Sequence, residues 1–197
     1  MESTDRGRTL LALARAAISQ ALGRSPGAAE DAPWLQQPGT CFVTLTQRGQ
    51  LRGCIGSLQA HRSLLADLKA NAVAAALHDP RFAPLSAAEL EHTGIEVSLL
   101  SPTEPIAFSS EADALAQLRP GIDGVVFEFA GRRSTFLPQV WEQLPEPRQF
   151  MAHLKHKAGL ASGFWADGVR LSRYTVQKWR EAALPADPAR TLPEGVA

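Results

Sequence analysis

Cysteine is scarce in this chain of 197 residues: Cys41 and Cys54 are the only two. Two thiols make no disulfide framework, so a reducing cytoplasm is the expected location. Excess charge is missing as well. Twenty basic and twenty acidic side chains cancel, so no overall field draws the chain to nucleic acid or to an anionic membrane. No apolar run reaches the length that spans a bilayer. The charged start, with Glu2, Asp5, Arg6 and Arg8, reads as an amphipathic helix rather than a signal peptide. The histidines are His61, His78, His92, His153 and His156, and none has the i, i+4 spacing with a glutamate that marks zinc sites. Neither standard phosphate-cradling glycine loop occurs, nor the aromatic-and-basic pattern of single-strand binders. No metal and no cofactor is therefore expected. There is no internal repeat and no low-complexity tract.

What is present is an ordinary globular composition, 45% hydrophobic and 20% charged, on a chain long enough for a real core. Leu10, Leu11, Leu13, Ala14, Ala17, Ile18 and Leu22 recur at helical spacing over 5–22, and Gly23 ends that helix. A Gly-, Ala- and Pro-rich connection runs over 24–39. The clearest helix is 62–77, striped by Leu64, Leu65, Leu68, Ala72, Ala75 and Ala76. Ser86 and Glu89 fit a capping box for a short helix through Glu91. Further helices are expected over 110–118 and from Pro147 to Gly159. Strands are expected over 95–99, 122–130, 133–137 and 168–176, with Gly131-Arg132 turning the second into the third. Helices and strands mix without a regular βαβ beat, which favours α+β over a doubly wound sheet.

One stretch stands apart from ordinary strand chemistry: Leu51-Arg52-Gly53-Cys54-Ile55-Gly56. It follows the strand-like Thr40 to Thr46 and the turn Gln47-Arg48-Gly49-Gln50, so the two runs read as a hairpin. A two-residue turn at Arg48-Gly49 would set Cys54 opposite Val43 and diagonal to Cys41, a poor geometry for a disulfide. Gly53 and Gly56 interrupt the return strand, where glycine marks a bulge or the close approach of a ligand or another backbone. Arg52 is two positions from Cys54 and is expected on the same face. There it would favour a thiolate over the ordinary thiol of pKa ~8.5. The plain alternative is that Cys54 is a small buried hydrophobe; Cys41, with no such neighbours, reads as core.

Other polar and charged residues interrupt the apolar pattern. Asn71, at the edge of the 62–77 stripe, either braces a neighbouring loop or faces a site. Asp79-Pro80-Arg81-Phe82-Ala83-Pro84 is a rigid loop. Arg52 and Arg81 suit an anion or carboxylate, with Asp79 and Glu96 equally apt as internal partners. Glu96 is the general-base candidate, or simply the solvent-facing side of an alternating strand. Cys54, Arg52, Asp79, Arg81 and Glu96 are expected to share one cleft.

Taken together, these stretches resemble the AMMECR domain family, also called protein A of the AmmeMemoRadiSam system. The resemblance rests on Phe42-Val43-Thr44-Leu45, the hexapeptide, Asn71 with Ala75-Ala76, Asp79-Pro80-Arg81-Phe82 and Glu96 to Ser101. It continues through Gly121-Ile122-Asp123-Gly124-Val125, Leu137-Pro138-Gln139-Val140-Trp141 and Lys157-Ala158-Gly159-Leu160, all in order. Lys155 stands where the family often has a cysteine, so a second thiol is not essential here. The tail at 183–197, proline-rich and poor in large apolar residues, matches nothing in the family and is expected to be mobile. The resemblance implies one domain over 1–197, with a core over about 8–182. It implies an α+β fold with a mixed or antiparallel sheet and flanking helices. A larger lobe holds both termini, and a smaller lobe covers about 118–163. It also implies association with a radical-SAM protein and a Memo-like protein, but no reaction. Two functional readings follow. In one, a binding component takes a small-molecule or peptide ligand through Arg52, Gly53, Gly56, Asn71, Asp79 and Arg81. In the other, an enzyme uses Cys54 as nucleophile or redox thiol, Glu96 as base, and Arg52 with Arg81 to hold an anionic or peptide-like substrate.

Overall fold

The structure is a computed structural model that describes residues 2–24 and 27–182. The 183–197 stretch, expected as a tail, lies outside the described residues. The chain is α+β; its described residues form two antiparallel sheets of four strands each and four α-helices. It falls into two compact units. Of the described residues, one holds those up to Leu99 and those over 178–182; the other runs from Leu100 to Gln177.

The first unit opens with α1 (Glu2–Ala21), whose Leu10, Leu13, Ala14, Ala17 and Ile18 are buried at helical spacing. Gly23 stops it at φ 77°, and the Arg24 N–H closes back on the Ser19 carbonyl. A 3-10 turn at Pro33–Gln36 buries Leu35 within the 24–39 connection. Strands β1 (Thr40–Gln47) and β2 (Gln50–Gly56) form the hairpin. Its two turn residues, Arg48 and Gly49, both take positive φ, the twist that matches two strands. Helix α2 (Leu64–Leu77) follows, with Ser63 as N-cap accepting from the Ala66 N–H. Strand β3 (Gly94–Leu100) returns beside β1. Ser86 and Glu89 do exchange capping-box bonds, but the turn they start is a 3-10 helix at Glu89–His92.

Two strands, β4 (Glu104–Ile106) and β8 (Val176–Arg180), have no counterpart in the sequence reading. Each is short and at a sheet edge, and Pro105 interrupts the strand pattern of β4. β8 completes the first sheet in the order β2-β1-β3-β8. Cys41, Val43, Leu45, Ile95 and Val97 on one face of that sheet share a core with α1 and α2. The alternate residues Phe42, Thr44, Thr46 and Glu96 are half-buried.

The second unit contains β4, α3 (Glu111–Ala116), β5 (Gly124–Phe129), β6 (Arg132–Phe136), α4 (Pro147–Lys157) and β7 (Arg170–Tyr174). Its sheet runs β4-β7-β5-β6, so β4 and β7 carry the unit well beyond 118–163. The β5–β6 turn is at Ala130-Gly131, both at positive φ, one residue earlier than the sequence suggests. Phe127, Phe150, Met151 and Leu154 are fully buried, and Trp141 stacks on Phe150 at 3.8 Å between centroids.

Gly7 illustrates how closely α1 approaches β8. A Cβ there would run into the indole of Trp179. Alanine normally improves a helix interior by about 1 kcal/mol over glycine. Gly7→Ala is nevertheless expected to lower stability, by about 1–3 kcal/mol for overpacking. A chemical-denaturation midpoint equal to or above the wild type would contradict this packing.

Candidate functional site

The hairpin register decides what surrounds Cys54. Gln47 pairs with Gln50 and Thr46 with Leu51, but Leu45 pairs with Gly53, so the return strand gains a residue at a β-bulge. Cys54 therefore opposes Thr44, not Val43 as an unbroken ladder would require. The Thr44 hydroxyl approaches its sulfur at 3.3 Å. Both cysteines are free. Cys41 is buried, and its thiol pKa is pushed up chiefly by that burial, with Asp67 beside it adding to the shift.

β2 is an edge strand, and an edge strand presents unpaired backbone groups. At Cys54 those groups are taken by the Asp79-to-Phe82 loop. The Cys54 N–H donates to Asp79 Oδ2 at 2.9 Å, and Arg81 Nη2 donates to the Cys54 carbonyl at 3.1 Å. Arg81 also binds Asp79 through Nε at 2.9 Å and Nη2 at 2.6 Å, while its own backbone N–H reaches Asp79 Oδ1. One acceptor and one donor thus stand where an adjacent strand would offer them. The loop is fixed at both ends: Phe82 N–H closes on the Asp79 carbonyl, and Leu85 N–H bonds the Ala76 carbonyl at the end of α2. Asp79 is buried and Arg81 about half exposed. The Arg81 bonds, with help from the Cys54 and Arg81 backbone N–H groups, hold the Asp79 carboxyl far below the usual carboxylate range. Arg81 is correspondingly raised, by Asp79 first.

Arg52 departs from its expected place. The bulge removes it from simple alternation with Cys54, and the guanidinium bonded at Cys54 is that of Arg81 instead. Arg52 lies against the Phe82 ring, 6.0 Å from its centroid, and Arg81 lies 5.5 Å from the same centroid. Its Nε and Nη2 both reach a single oxygen of Glu89, at 3.4 and 3.3 Å. Its Nη1 is buried and has no hydrogen-bond partner among the described residues. The Glu89 carboxyl is lowered first by the Ser86 N–H, and Arg52 adds to the shift.

Gly53 and Gly56 owe their lack of side chain to neighbours within the protein. A Cβ on Gly53 would collide with the Ala75 carbonyl oxygen of α2, and one on Gly56 with the Phe42 ring. The close approach is thus another backbone at Gly53 and a ring at Gly56.

Asn71 is the brace. Its Nδ2 donates to the Cys41 carbonyl at 3.0 Å, to Asp67 at 2.9 Å and to Ser57 Oγ at 3.2 Å. Asp67, which the sequence reading passed over, is the hub of that cluster. Its buried carboxylate accepts from the Cys41 N–H, Ser57 Oγ, Arg62 Nε and Asn71. The available signal was its position four residues before Asn71 on the Leu64–Leu68 stripe, in the first turn of α2, where a carboxylate also suits the helix dipole.

Glu96 is not bonded to this cluster. It sits on β3, with β1 between it and β2, and pairs with Arg180 of β8 at 2.6 and 3.1 Å. No group of three or more His, Cys, Asp or Glu side chains among the described residues is arranged to hold a metal ion. No helix among them is long and apolar enough to cross a membrane.

The lowered carboxyl of Asp79 fixes the sign of a pH effect. Ionised Asp79 stabilises the fold above the unfolded value of about 3.9, and the contribution is lost as pH falls below it toward the folded value. Asp79→Asn is expected to be less stable near neutral pH and to lose stability less steeply below about pH 4. Denaturation midpoints across acid pH check this; parallel acid limbs for the two proteins would contradict it.

The AMMECR1 family model matches residues 11–179. A Methanothermobacter thermautotrophicus protein is 37% identical over 185 residues, covering 91% of this chain and 96% of the relative. A Thermotoga maritima protein is 38% identical over 141 residues, 71% of this chain and 76% of the relative. The crystal structure of the uncharacterized protein PH0010 from Pyrococcus horikoshii superimposes with a TM-score of 0.76 at 30% identity, covering 90% of this chain and 92% of the other. On the extent of these matches, the chain belongs to the AMMECR1 family.

Proposed function

We propose that this AMMECR1-family protein is a binding component that works with a radical-SAM protein and a Memo-like protein in the cytoplasm. In this reading the β2 segment and the Asp79-to-Phe82 loop receive a small-molecule or peptide-like ligand. The observation that carries it is the contrast between the two arginines. Arg81 is engaged by Asp79 through two short side-chain bonds. Arg52 makes two long bonds to one Glu89 oxygen and leaves Nη1 without a partner among the described residues. A guanidinium is a planar fork of five donors, and two long bonds to one oxygen hold that fork weakly, so Arg52 can exchange Glu89 for a carboxylate or carbonyl on the ligand. Asp79 and Arg81 fix the strand beside it; Asn71, Gly53 and Gly56 support it through packing.

The catalytic alternative has less support. A nucleophilic thiol needs a base within reach, and both carboxylates named for the site are already engaged: Asp79 by Arg81, Glu96 by Arg180. Cys54 is then a residue of the binding face.

Co-purification with the radical-SAM and Memo-like proteins of the same organism tests this. Arg52→Met is expected to keep the wild-type melting temperature and to reduce capture about tenfold, a loss of about 1.4 kcal/mol, with Arg52→Lys partly restoring it. Cys54→Ala, which removes the sulfur, should retain capture. No capture by the wild type, or equal capture by Arg52→Met, would overturn the proposal.

A further inference from the structure

A concavity lies within the Leu100–Gln177 unit. It has a volume of about 650 Å³ and opens between the Pro105–Ser109 segment and the 165–168 loop that leads into β7. That volume is within the range of small-molecule sites. Phe108 and Trp165 form its apolar wall, tilted against one another at 5.4 Å between centroids.

The wall is held from behind by a buried lysine. Lys155 Nζ donates to Glu111 Oε1 at 2.9 Å and to the Phe164 carbonyl at 2.9 Å, and lies 5.9 Å from the Trp165 ring centroid. Phe164 packs on Phe129 at 4.8 Å. The loop is therefore tied to α3, α4 and β5, and Trp165 is set in place before any ligand arrives. Lys155 is a positioning residue here, since its charge is neutralised by Glu111.

The rim carries the charged side chains Glu128, Asp167 and Arg170. Asp167 is exposed and makes no ion pair or hydrogen bond among the described residues. Arg170, also exposed, comes no nearer than 3.9 Å to Glu128. Glu128 has a closer partner in Arg133, at 3.4 Å. Asp167, without a partner among the described residues, and Arg170, only loosely paired, are a carboxylate and a guanidinium three positions apart on one rim.

We infer that this cleft binds a small zwitterion of the amino-acid type with a flat apolar side chain. The ammonium meets Asp167, the carboxylate takes the Arg170 fork, and the side chain lies on Phe108 and Trp165. A purely anionic or purely cationic ligand would leave one rim charge unmatched, and an uncharged aromatic would leave both. The inference is independent of the β2 site.

The test uses L-phenylalanine, its N-acetyl derivative and its amide with the intact protein, read by amide chemical-shift titration. Free phenylalanine is expected to bind in the millimolar range, with shifts centred on Trp165 and 166–170. Each blocked form should bind about tenfold more weakly, one charge contact being lost. Asp167→Asn should erase the preference over N-acetyl-phenylalanine alone, and Arg170→Gln the preference over the amide alone. Both residues are exposed, so neither change threatens folding. Equal binding of all three probes, shifts that map elsewhere, or no saturable binding up to about 10 mM would overturn the inference.

Discussion

The first unit depends on an ion pair that stands in for a strand. β2 ends its sheet, and at Cys54 its outward N–H and C=O are met by Asp79 and Arg81. An exposed edge invites pairing with another chain. Here the donor and acceptor come from a loop pinned to the end of α2, so the edge is closed at that point without a further strand. The pair draws its strength from its setting. Asp79 is buried and accepts from two backbone N–H groups as well as from Arg81, and a carboxylate so placed costs much to leave unpaired. The two sequence segments that stand out from ordinary strand and loop chemistry are therefore one structural device.

That device sorts the polar residues around it. Arg81 is part of the fold, while Arg52, against the same Phe82 ring, is weakly held. Asn71 and Asp67 belong to a separate buried cluster that ties α2 to Cys41 and Ser57. Glu96 belongs to the β3–β8 side of the sheet through Arg180. A set of residues that reads as one catalytic constellation in sequence is thus divided among three hydrogen-bond groups. Only the Cys54–Asp79–Arg81 group, with Arg52 beside it, keeps the two motifs together.

Much of this was legible because it follows from local chemistry. The Arg48-Gly49 turn, the apolar stripe of the 62–77 helix, the Ser86–Glu89 capping box and the stops at Gly23 and Gly159 all express residue preferences within a few positions. The bulge was signalled by the strand glycines, but its register was not legible. It shifts one side of the hairpin by a residue, and nothing in Leu51-Arg52-Gly53 alone says which residue is left over. That shift exchanged Val43 for Thr44 opposite Cys54. The role of Gly53 was half legible: close approach was expected, but that it is the Ala75 carbonyl depends on how α2 packs. β4 and β8 escaped because short edge strands carry little hydrophobic periodicity. Asp67 escaped because an acid in a first helical turn usually looks like surface.

The most direct measurement is backbone hydrogen exchange at the Cys54 amide, compared between the wild type and Asp79→Ala. If the ion pair closes the edge, this amide is strongly protected in the wild type. In the variant it exchanges freely, while the amides of β1 and the α2 interior keep their protection. A Cys54 amide that exchanges as fast as an open edge in the wild type, or that stays protected without the Asp79 carboxylate, would contradict the clamp.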